Sequence, residues 1–267
     1  MIVAFHYRQP FTRQLAVIDA LMAGIGDDML IPVEGTDKPL PNAHALVLFG
    51  VGGMSRDIWD AYEGKPRVLI DKGYARKGFM RVTVNEFHPL KWLASADPPA
   101  DRLEVAGWEP KSYDMTGTHV LLDGLSGKYC HWMKMDRFAW IDDTIRAIRS
   151  VTDMPILFRP RPSHNPAPPV PEGTILDTSP LLESLAGSHV VVSHGGNLGC
   201  DAVINGRAHI ALGPSPALCL SGTSVAGGSK IPSDKNRHRW MKALAYCQYS
   251  MDEIADGTMW KWVRAQL

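Results

Sequence analysis

Short apolar runs separated by helix-period stretches make up the first third of the chain. The apolar runs predict strands at Ile2–His6, Ala45–Gly50, Arg67–Asp71 and Arg81–Asn85. The first three are apolar almost throughout rather than alternating, which is typical of strands buried on both faces of a parallel sheet. Apolar residues from Phe11 to Met22 recur on one helical face, and a second helix is predicted near Ser55. Strands that alternate with helices predict a parallel sheet with crossover helices.

The pattern fades between Pro89 and Tyr113, where Pro, Asp and Ala predominate, and then restarts. In the second half, strands are predicted at Thr118–Asp123, Pro155–Arg159, His189–Ser193 and His209–Leu212. Helices are predicted at Arg137–Val151, Leu181–Leu185, Leu198–Asn205, Arg237–Tyr246 and Met251–Gln266. Both halves are therefore predicted to be α/β. We expect an N-terminal domain over residues 1–113, a C-terminal domain over 114–236, and helices over 237–267 that could pack back on the N-terminal domain.

Composition excludes several classes of protein. The 267 residues carry 28 Lys+Arg and 28 Asp+Glu, with 45% hydrophobic residues, so neither a disordered chain nor a basic nucleic-acid coat is indicated. No run of about 18 apolar residues occurs, and the N-terminus lacks the signal-peptide pattern, which predicts a cytoplasmic protein with no membrane partner. The four cysteines form no CxxC pair, so we expect reduced thiols and no bound metal.

Candidate binding residues follow the strands of the second half. Three strand ends run into polar loops, Arg159–His164, Ser193–Asn197 and Gly213–Pro216. Ligands of open α/β sheets bind at the carboxyl ends of strands. The glycine-containing loop Ser193, His194, Gly195, Gly196, Asn197 could bring backbone N–H groups to a diphosphate. Arg159 and Arg161, flanked by prolines, are predicted to clamp its phosphates.

The order RPRPS followed by ILDTSPLLESLAGSHVVVSHGGNLGCDAVINGRAHIALG resembles the nucleotide-sugar-binding domain of GT-B glycosyltransferases, above all the capsule-polysaccharide type. The resemblance covers residues 155–216. It implies two Rossmann-like domains facing across a cleft, with the donor held mainly by the C-terminal one. It further implies phosphate contacts from Arg159 and Arg161, a diphosphate cradle at 193–197, and sugar or ribose contacts near Asp201. Many members of the superfamily have Glu where this chain has Asp201.

Two other segments, IDKGYARKGFMRVTVNEFHP and RHRWMKALAYCQYSMDEIADGTMWKWV, resemble bacteriophage proteins. This resemblance implies that the acceptor could be a hydroxymethylated pyrimidine in phage DNA, with the protein in the host cytoplasm. The neutral total charge argues against a nucleic-acid partner. The stretch from Arg67 to Lys91, however, has six basic and two acidic residues, so a local patch for DNA stays open.

Inverting sugar transfer needs a general base near the acceptor hydroxyl. Asp71, after a buried strand and before a glycine, and His88 are the candidate catalytic residues, with His6 and Glu86 as alternatives. Asp71 could equally cap a turn, because Asp is favoured there. Likewise, Arg159 and Arg161 could be solvated or paired with carboxylates.

The predicted function is transfer of a hexosyl or pentosyl group from a nucleoside-diphosphate sugar, a UDP-sugar being favoured, to an acceptor hydroxyl. No tightly bound cofactor is expected, since the nucleotide sugar is a substrate. Two alternatives stay open: a sugar-nucleotide epimerase of the same fold and a non-catalytic DNA-binding accessory protein. Stereochemistry and oligomeric state are not indicated.

Overall fold

The computed structural model describes residues 1–7, 12–35, 38–75, 78–161 and 169–267. The strands are β1 (Ile2–Tyr7), β2 (Met29–Glu34), β3 (Ala45–Phe49), β4 (Arg67–Lys72), β5 (Met80–Val84), β6 (His119–Gly124), β7 (Ile156–Pro160), β8 (Ile175–Leu176), β9 (Ser188–Ser193), β10 (Ala208–Ala211) and β11 (Gln248–Tyr249). The helices are α1 (Thr12–Gly24), α2 (Ser55–Ala61), α3 (Leu90–Ser95), α4 (Asp101–Ala106), α5 (Gly127–Met133), α6 (Arg137–Arg149), α7 (Leu181–Gly187), α8 (Leu198–Ile204), α9 (Asp234–Ala245), α10 (Met251–Ala255) and α11 (Thr258–Arg264). Phe11, where the first helix was predicted to begin, lies outside the described residues.

The chain divides into two compact units. Unit 1 comprises Met1–Pro89 and Tyr246–Leu267, and unit 2 comprises Leu90–Ala245. The division at residue 89 differs from the predicted boundary at 113, because α3 and α4 pack on α9 of unit 2. The indole N–H of Trp92 donates to the carbonyl of Ala243 (3.0 Å), and Lys242 pairs with Asp97 at 2.5 Å. These helices are short and lie in Pro- and Asp-rich sequence, so the periodicity did not reveal them.

The sheet of unit 1 has the strand order β11-β5-β4-β3-β1-β2. The strands β2, β1, β3 and β4 are parallel, whereas β5 runs antiparallel to β4, and β11 antiparallel to β5. The order 2-1-3-4-5 is that of a doubly wound fold. The strand β2 was not predicted, and its sequence MLIPVE shows why. Pro32 cannot donate to a sheet, and the edge position of β2 is where a proline is tolerated.

One face of the unit 1 sheet is covered by α1 and by the C-terminal helices α10 and α11. Val17, Leu21, Ile254 and Trp260 are buried together against this face. A Cβ on Gly24 of α1 would collide with the carbonyl oxygen of Ile254. The glycine therefore allows α1 and α10 to lie in close backbone contact.

The sheet of unit 2 is parallel throughout, in the order β10-β9-β6-β7-β8. Numbered along unit 2, this order is 5-4-1-2-3, the Rossmann order, and its reversal point lies between β6 and β9. Alternate residues of β6 point to opposite faces. Val120 and Leu122 pack with α6 residues such as Ile145, and Leu121 packs with Leu185 and Leu198 of α7 and α8. Most ends of the strands predicted for this half lie one residue from the observed strand ends.

Candidate functional site

The binding residues predicted from sequence lie at the carboxyl end of the unit 2 sheet. Asp123 at the end of β6 is paired in register with Arg159 of β7, and Leu122 is paired with Val192 of β9. The ends of β6 and β9 therefore flank the reversal point of the strand order. In open α/β sheets this is where a crevice forms for a ligand.

Arg159 is held by the protein itself. Its Nη1 donates to Asp177 Oδ2 (2.6 Å), to the Ser179 carbonyl (2.9 Å) and to Ser184 Oγ (3.2 Å). The Asp177 side chain is only 1% exposed. An arginine that compensates a buried carboxylate has a structural role, because removal of the arginine would leave that charge uncompensated.

Arg161 has a different environment. Its side chain is 34% exposed, and its Nε lies 3.8 Å from Asp123 Oδ1. Gly196 of the loop adjoins both groups, since an added Cβ would collide with Arg161 Nη2 and would lie 2.5 Å from Asp123 Oδ2. The guanidinium, the carboxylate and the glycine loop are thus in direct contact. Pro162, Ser163 and His164, which follow Arg161 in the predicted motif, lie outside the described residues.

Ser193, the first residue of the glycine loop, faces the core. Its Oγ lies 2.8 Å from Nε2 of His209, whose Nδ1 lies 2.6 Å from Ser221 Oγ. The Ser221 hydroxyl donates to the Ala217 carbonyl. Burial lowers the pKa of His209 to about 3, so the imidazole is neutral at pH 7. The network fixes the carboxyl ends of β9 and β10 side by side, and the Ser193 hydroxyl is part of it.

The half-buried His194 contacts two aromatic rings. Its Nδ1 is 2.7 Å from the Tyr129 hydroxyl, and Trp140 meets the imidazole edge-on with a centroid distance of 5.7 Å. Burial lowers the pKa of His194. Gly195 follows, and a Cβ there would collide with the Tyr129 hydroxyl. The Tyr129 hydroxyl thus positions His194 and leaves room only for a glycine at the residue after His194.

Asn197 and Asp201 complete the predicted set. Asn197 immediately precedes α8, and its carbonyl accepts from the N–H of Asp201 at 3.1 Å. Burial raises the pKa of the Asp201 carboxyl to about 7, although Arg161 and Arg159 oppose this shift. The helix has only seven residues. A helix of this length contributes little dipole, so the positive charge that faces this region is that of Arg161.

The predicted catalytic residues Asp71 and His88 belong to unit 1, where one arginine links them. Arg81 Nη2 donates to Asp71 Oδ2 at 3.1 Å, and Arg81 Nη1 donates to His88 Nδ1 at 2.6 Å. His88 is buried and also lies 3.1 Å from the Tyr74 hydroxyl, whereas the Asp71 side chain is 27% exposed. Since the His88 Nδ1 lone pair accepts from Arg81, Asp71 is the better placed of the two to accept a proton from a substrate.

Of the two alternatives for the base, His6 is more enclosed than Asp71, whereas Glu86 is half-buried. His6 is buried, with its Nε2 at 2.8 Å from the Tyr62 hydroxyl. Glu86 contributes its backbone carbonyl to the Thr83 hydroxyl. Within the basic stretch Arg67–Lys91, Arg81 is buried beside Asp71 and so gives no surface charge to an anionic acceptor.

Sequence reasoning did not single out Asp123, Tyr129 or Asp177, whose side chains contact residues of the predicted site. For Asp123 the sequence did contain a signal: it is the last residue of a predicted buried strand, and Arg159 is the last residue of the next predicted strand. Asp177 and Tyr129 gave no local signal, because sheet register and helix packing bring them to the site. Among the described residues, no group of three or more His, Cys, Asp or Glu side chains could hold a metal ion. No helix in the described ranges is long and apolar enough to cross a membrane.

Comparison with known proteins identifies the fold. No protein-family model matches the chain, and no curated protein matches it. Among solved structures, the beta Kdo 2,7 transferase of Thermosulfurimonas dismutans KpsC is similar, with a TM-score of 0.56 and 10% identity over 99% of this chain and 100% of that one. The beta Kdo 2,4 transferase of the same KpsC gives a TM-score of 0.53 and 11% identity over 92% and 90%. The predicted α/β fold with two Rossmann-like domains is thereby confirmed.

Proposed function

We propose that this protein is a glycosyltransferase that binds a nucleotide-sugar donor at the carboxyl ends of β6, β7 and β9. The observation that carries the proposal is the contact of Arg161 with Gly196 at the reversal point of the unit 2 sheet. A guanidinium beside a glycine loop binds phosphate oxygens well. The likeness to KpsC Kdo transferases, whose names state glycosyl transfer, supports the same class of reaction.

The donor site is tested by calorimetry with UDP-, GDP-, CMP- and ADP-linked sugars. The purified protein should bind at least one of them, and Arg161→Ala should weaken that binding at least about tenfold. Arg146→Ala, at an exposed arginine of the same unit, is the matched control and should bind as the wild type does. Failure of every nucleotide sugar to bind would refute the proposal.

The variant Arg159→Ala tests whether Arg159 has a structural role or a ligand-binding role. Because Asp177 would keep a buried charge without its arginine, we expect this variant to lose about 3 kcal/mol of stability, measured by urea denaturation. An Arg159→Ala variant that is as stable as wild type but no longer binds would place Arg159 with the ligand instead.

For the chemical step we propose Asp71 as the general base, held by Arg81, with His88 positioning that arginine. Asp71→Asn should then keep donor binding and lose at least about 100-fold in transfer rate, the range of general base catalysis. Equal rates in the variant and the wild type would exclude Asp71 from the reaction.

For the acceptor we propose a hydroxymethylated pyrimidine in DNA, on the resemblance of two segments to bacteriophage proteins. Incubation of the protein and a labelled donor with hydroxymethylated and unmodified DNA of the same sequence tests it. Label transferred only to the hydroxymethylated DNA would support the proposal. Transfer to a glycan acceptor and to neither DNA would refute it.

A further inference from the structure

One oxygen of the Asp123 carboxylate has no hydrogen-bond partner among the described residues. Asp123 is 4% exposed, and its Oδ2 is buried without a donor. The other oxygen, Oδ1, lies 3.8 Å from Arg161 Nε, too far for a hydrogen bond. Buried polar groups in folded proteins are almost always satisfied, so such an exception needs an explanation.

A second buried aspartate of unit 2 shows how the hydrogen bonds of a structural carboxylate are satisfied in this fold. Asp177 accepts from Arg159 and from the Ser184 hydroxyl, and the backbone N–H of Ser179 donates to it as well. Both of its oxygens are satisfied by the protein. The incomplete set of partners around Asp123 is thus not a general property of buried carboxylates in unit 2.

The position of the unsatisfied oxygen points to a ligand. Asp123 is the residue before the last in the central strand β6, and its Oδ2 adjoins Gly196 of the loop after β9. These are the two strand ends that flank the reversal point of the sheet, where ligands of this architecture bind. Burial raises the pKa of the Asp123 carboxyl against the opposing effect of Arg161 and Arg159. A hydrogen-bond donor supplied by the ligand would stabilise the carboxylate in this place.

We propose that Asp123 is a specificity-determining residue of the donor site, whose Oδ2 accepts a hydrogen bond from a ribose or sugar hydroxyl of the bound nucleotide sugar. Its Oδ1 faces Arg161, which binds the phosphate. The inference rests on the proposed function. Arg161 and Asp123 together then recognise two different parts of one ligand, an anion and a neutral hydroxyl group.

The test compares two probes on the wild type and on Asp123→Asn, by calorimetry. One probe is the tightest-binding sugar of the UDP-, GDP-, CMP- and ADP-linked panel, and the other is inorganic pyrophosphate, which has no hydroxyl group to offer from a sugar. Loss of the negative charge should strengthen pyrophosphate binding or leave it unchanged. The affinity for the nucleotide sugar relative to pyrophosphate should fall at least about tenfold, the value of a charge-assisted hydrogen bond. Asp142→Asn, at an exposed position, is the control.

The outcomes separate the possible roles of Asp123. An unchanged ratio of the two affinities overturns the proposal: equal strengthening of both probes would mean that Asp123 acts only through its charge, and equal weakening would mean that it acts only through Arg161. If Asp123→Asn does not fold, the wild type is measured with deoxy analogues that lack one ribose or sugar hydroxyl at a time. At least one analogue should bind at least tenfold more weakly, and uniform affinities would overturn the proposal. A wild type that binds pyrophosphate but no nucleotide sugar refutes the proposed function itself, and with it this inference.

Discussion

At the scale of single residues, burial acts on two titratable groups of unit 2 in opposite directions. It lowers the pKa of His209 to about 3 and raises that of Asp201 to about 7. In both cases the neutral form is favoured, because a charge is poorly solvated inside the protein. His209 is neutral as part of a hydrogen-bonded network, whereas the Asp201 carboxyl, beside the ligand site, titrates near physiological pH.

The Asp201 shift predicts a pH-dependent difference in stability. The folded-state pKa lies above the unfolded value of 3.8, so the folded protein binds more protons between pH 4 and 7, and this contribution to stability is lost as the pH rises through 7. Asp201→Asn removes that loss. Relative to wild type, its free energy of unfolding should rise by at least about 1 kcal/mol from pH 5 to pH 8, since one pKa unit corresponds to about 1.4 kcal/mol. The contribution of His209 has the opposite sign and cancels in the difference.

Urea denaturation at both pH values measures the effect, with the exposed Asp142→Asn as the control. A stability difference between Asp201→Asn and wild type that is the same at pH 5 and pH 8 would show that the Asp201 carboxyl does not titrate in this range.

The two arginines show how far residue types alone predict a site. Arg159 and Arg161 are indistinguishable in RPRP, and the sequence predicted a two-arginine clamp. The structure places Arg159 on Asp177 and leaves Arg161 partly exposed beside the loop. Asp177 is 18 residues from Arg159 in the sequence. The difference depends on which side chains the fold brings beside each guanidinium, and a short motif contains no such information.

At the scale of elements, the glycine loop after β9 is shaped by side chains from other segments of unit 2. An added Cβ at Gly196 would meet Arg161 and Asp123, and one at Gly195 would meet Tyr129. Neither glycine has a positive φ. These glycines are thus required for close approach of neighbouring groups rather than for a special backbone conformation.

Gly196→Ala should therefore weaken nucleotide-sugar binding at least about tenfold, because the new methyl group would displace the Arg161 guanidinium. Gly127→Ala is the matched control: a Cβ there meets nothing within 4 Å, and the residue opens α5. Alanine favours a helix over glycine, so this variant should be at least as stable as wild type and bind equally. Equal binding by both variants would mean that Arg161 does not contact the ligand.

The elements themselves were predictable where burial was continuous. Strands β1, β3, β6, β9 and β10 are buried over most of their length, and their apolar runs indicated their positions within a residue or two. The exceptions have physical causes. The edge strand β2 contains a proline, and α3 and α4 are six-residue helices whose stability comes from packing on α9 rather than from their own sequence.

At the scale of the whole molecule, the two ends of the chain belong to one folding unit. Residues Tyr246–Leu267 group with Met1–Pro89, and the segment Leu90–Ala245 forms the other unit. The C-terminal residues Tyr249, Ile254 and Trp260 are buried in the unit 1 core, and the Trp260 indole N–H donates to Asp28 at 2.9 Å. The stability of unit 1 therefore depends on a segment that follows unit 2 in the sequence.

A substitution at the contact between α1 and α10 tests this dependence in the full-length protein. In Gly24→Ala the new methyl group would collide with the backbone carbonyl of Ile254. Because backbone cannot be displaced as easily as a side-chain end, we expect a loss of about 1–3 kcal/mol, the usual cost of overpacking. The loss should be confined to unit 1: hydrogen exchange should accelerate in β1, β3 and β4, whereas β6 and β9 should keep their wild-type protection. Met22→Ala, an exposed change in the same helix, controls for helix propensity. Equal acceleration of exchange in both sheets would contradict the division of stability between two units and would mean that the chain unfolds as a single cooperative block.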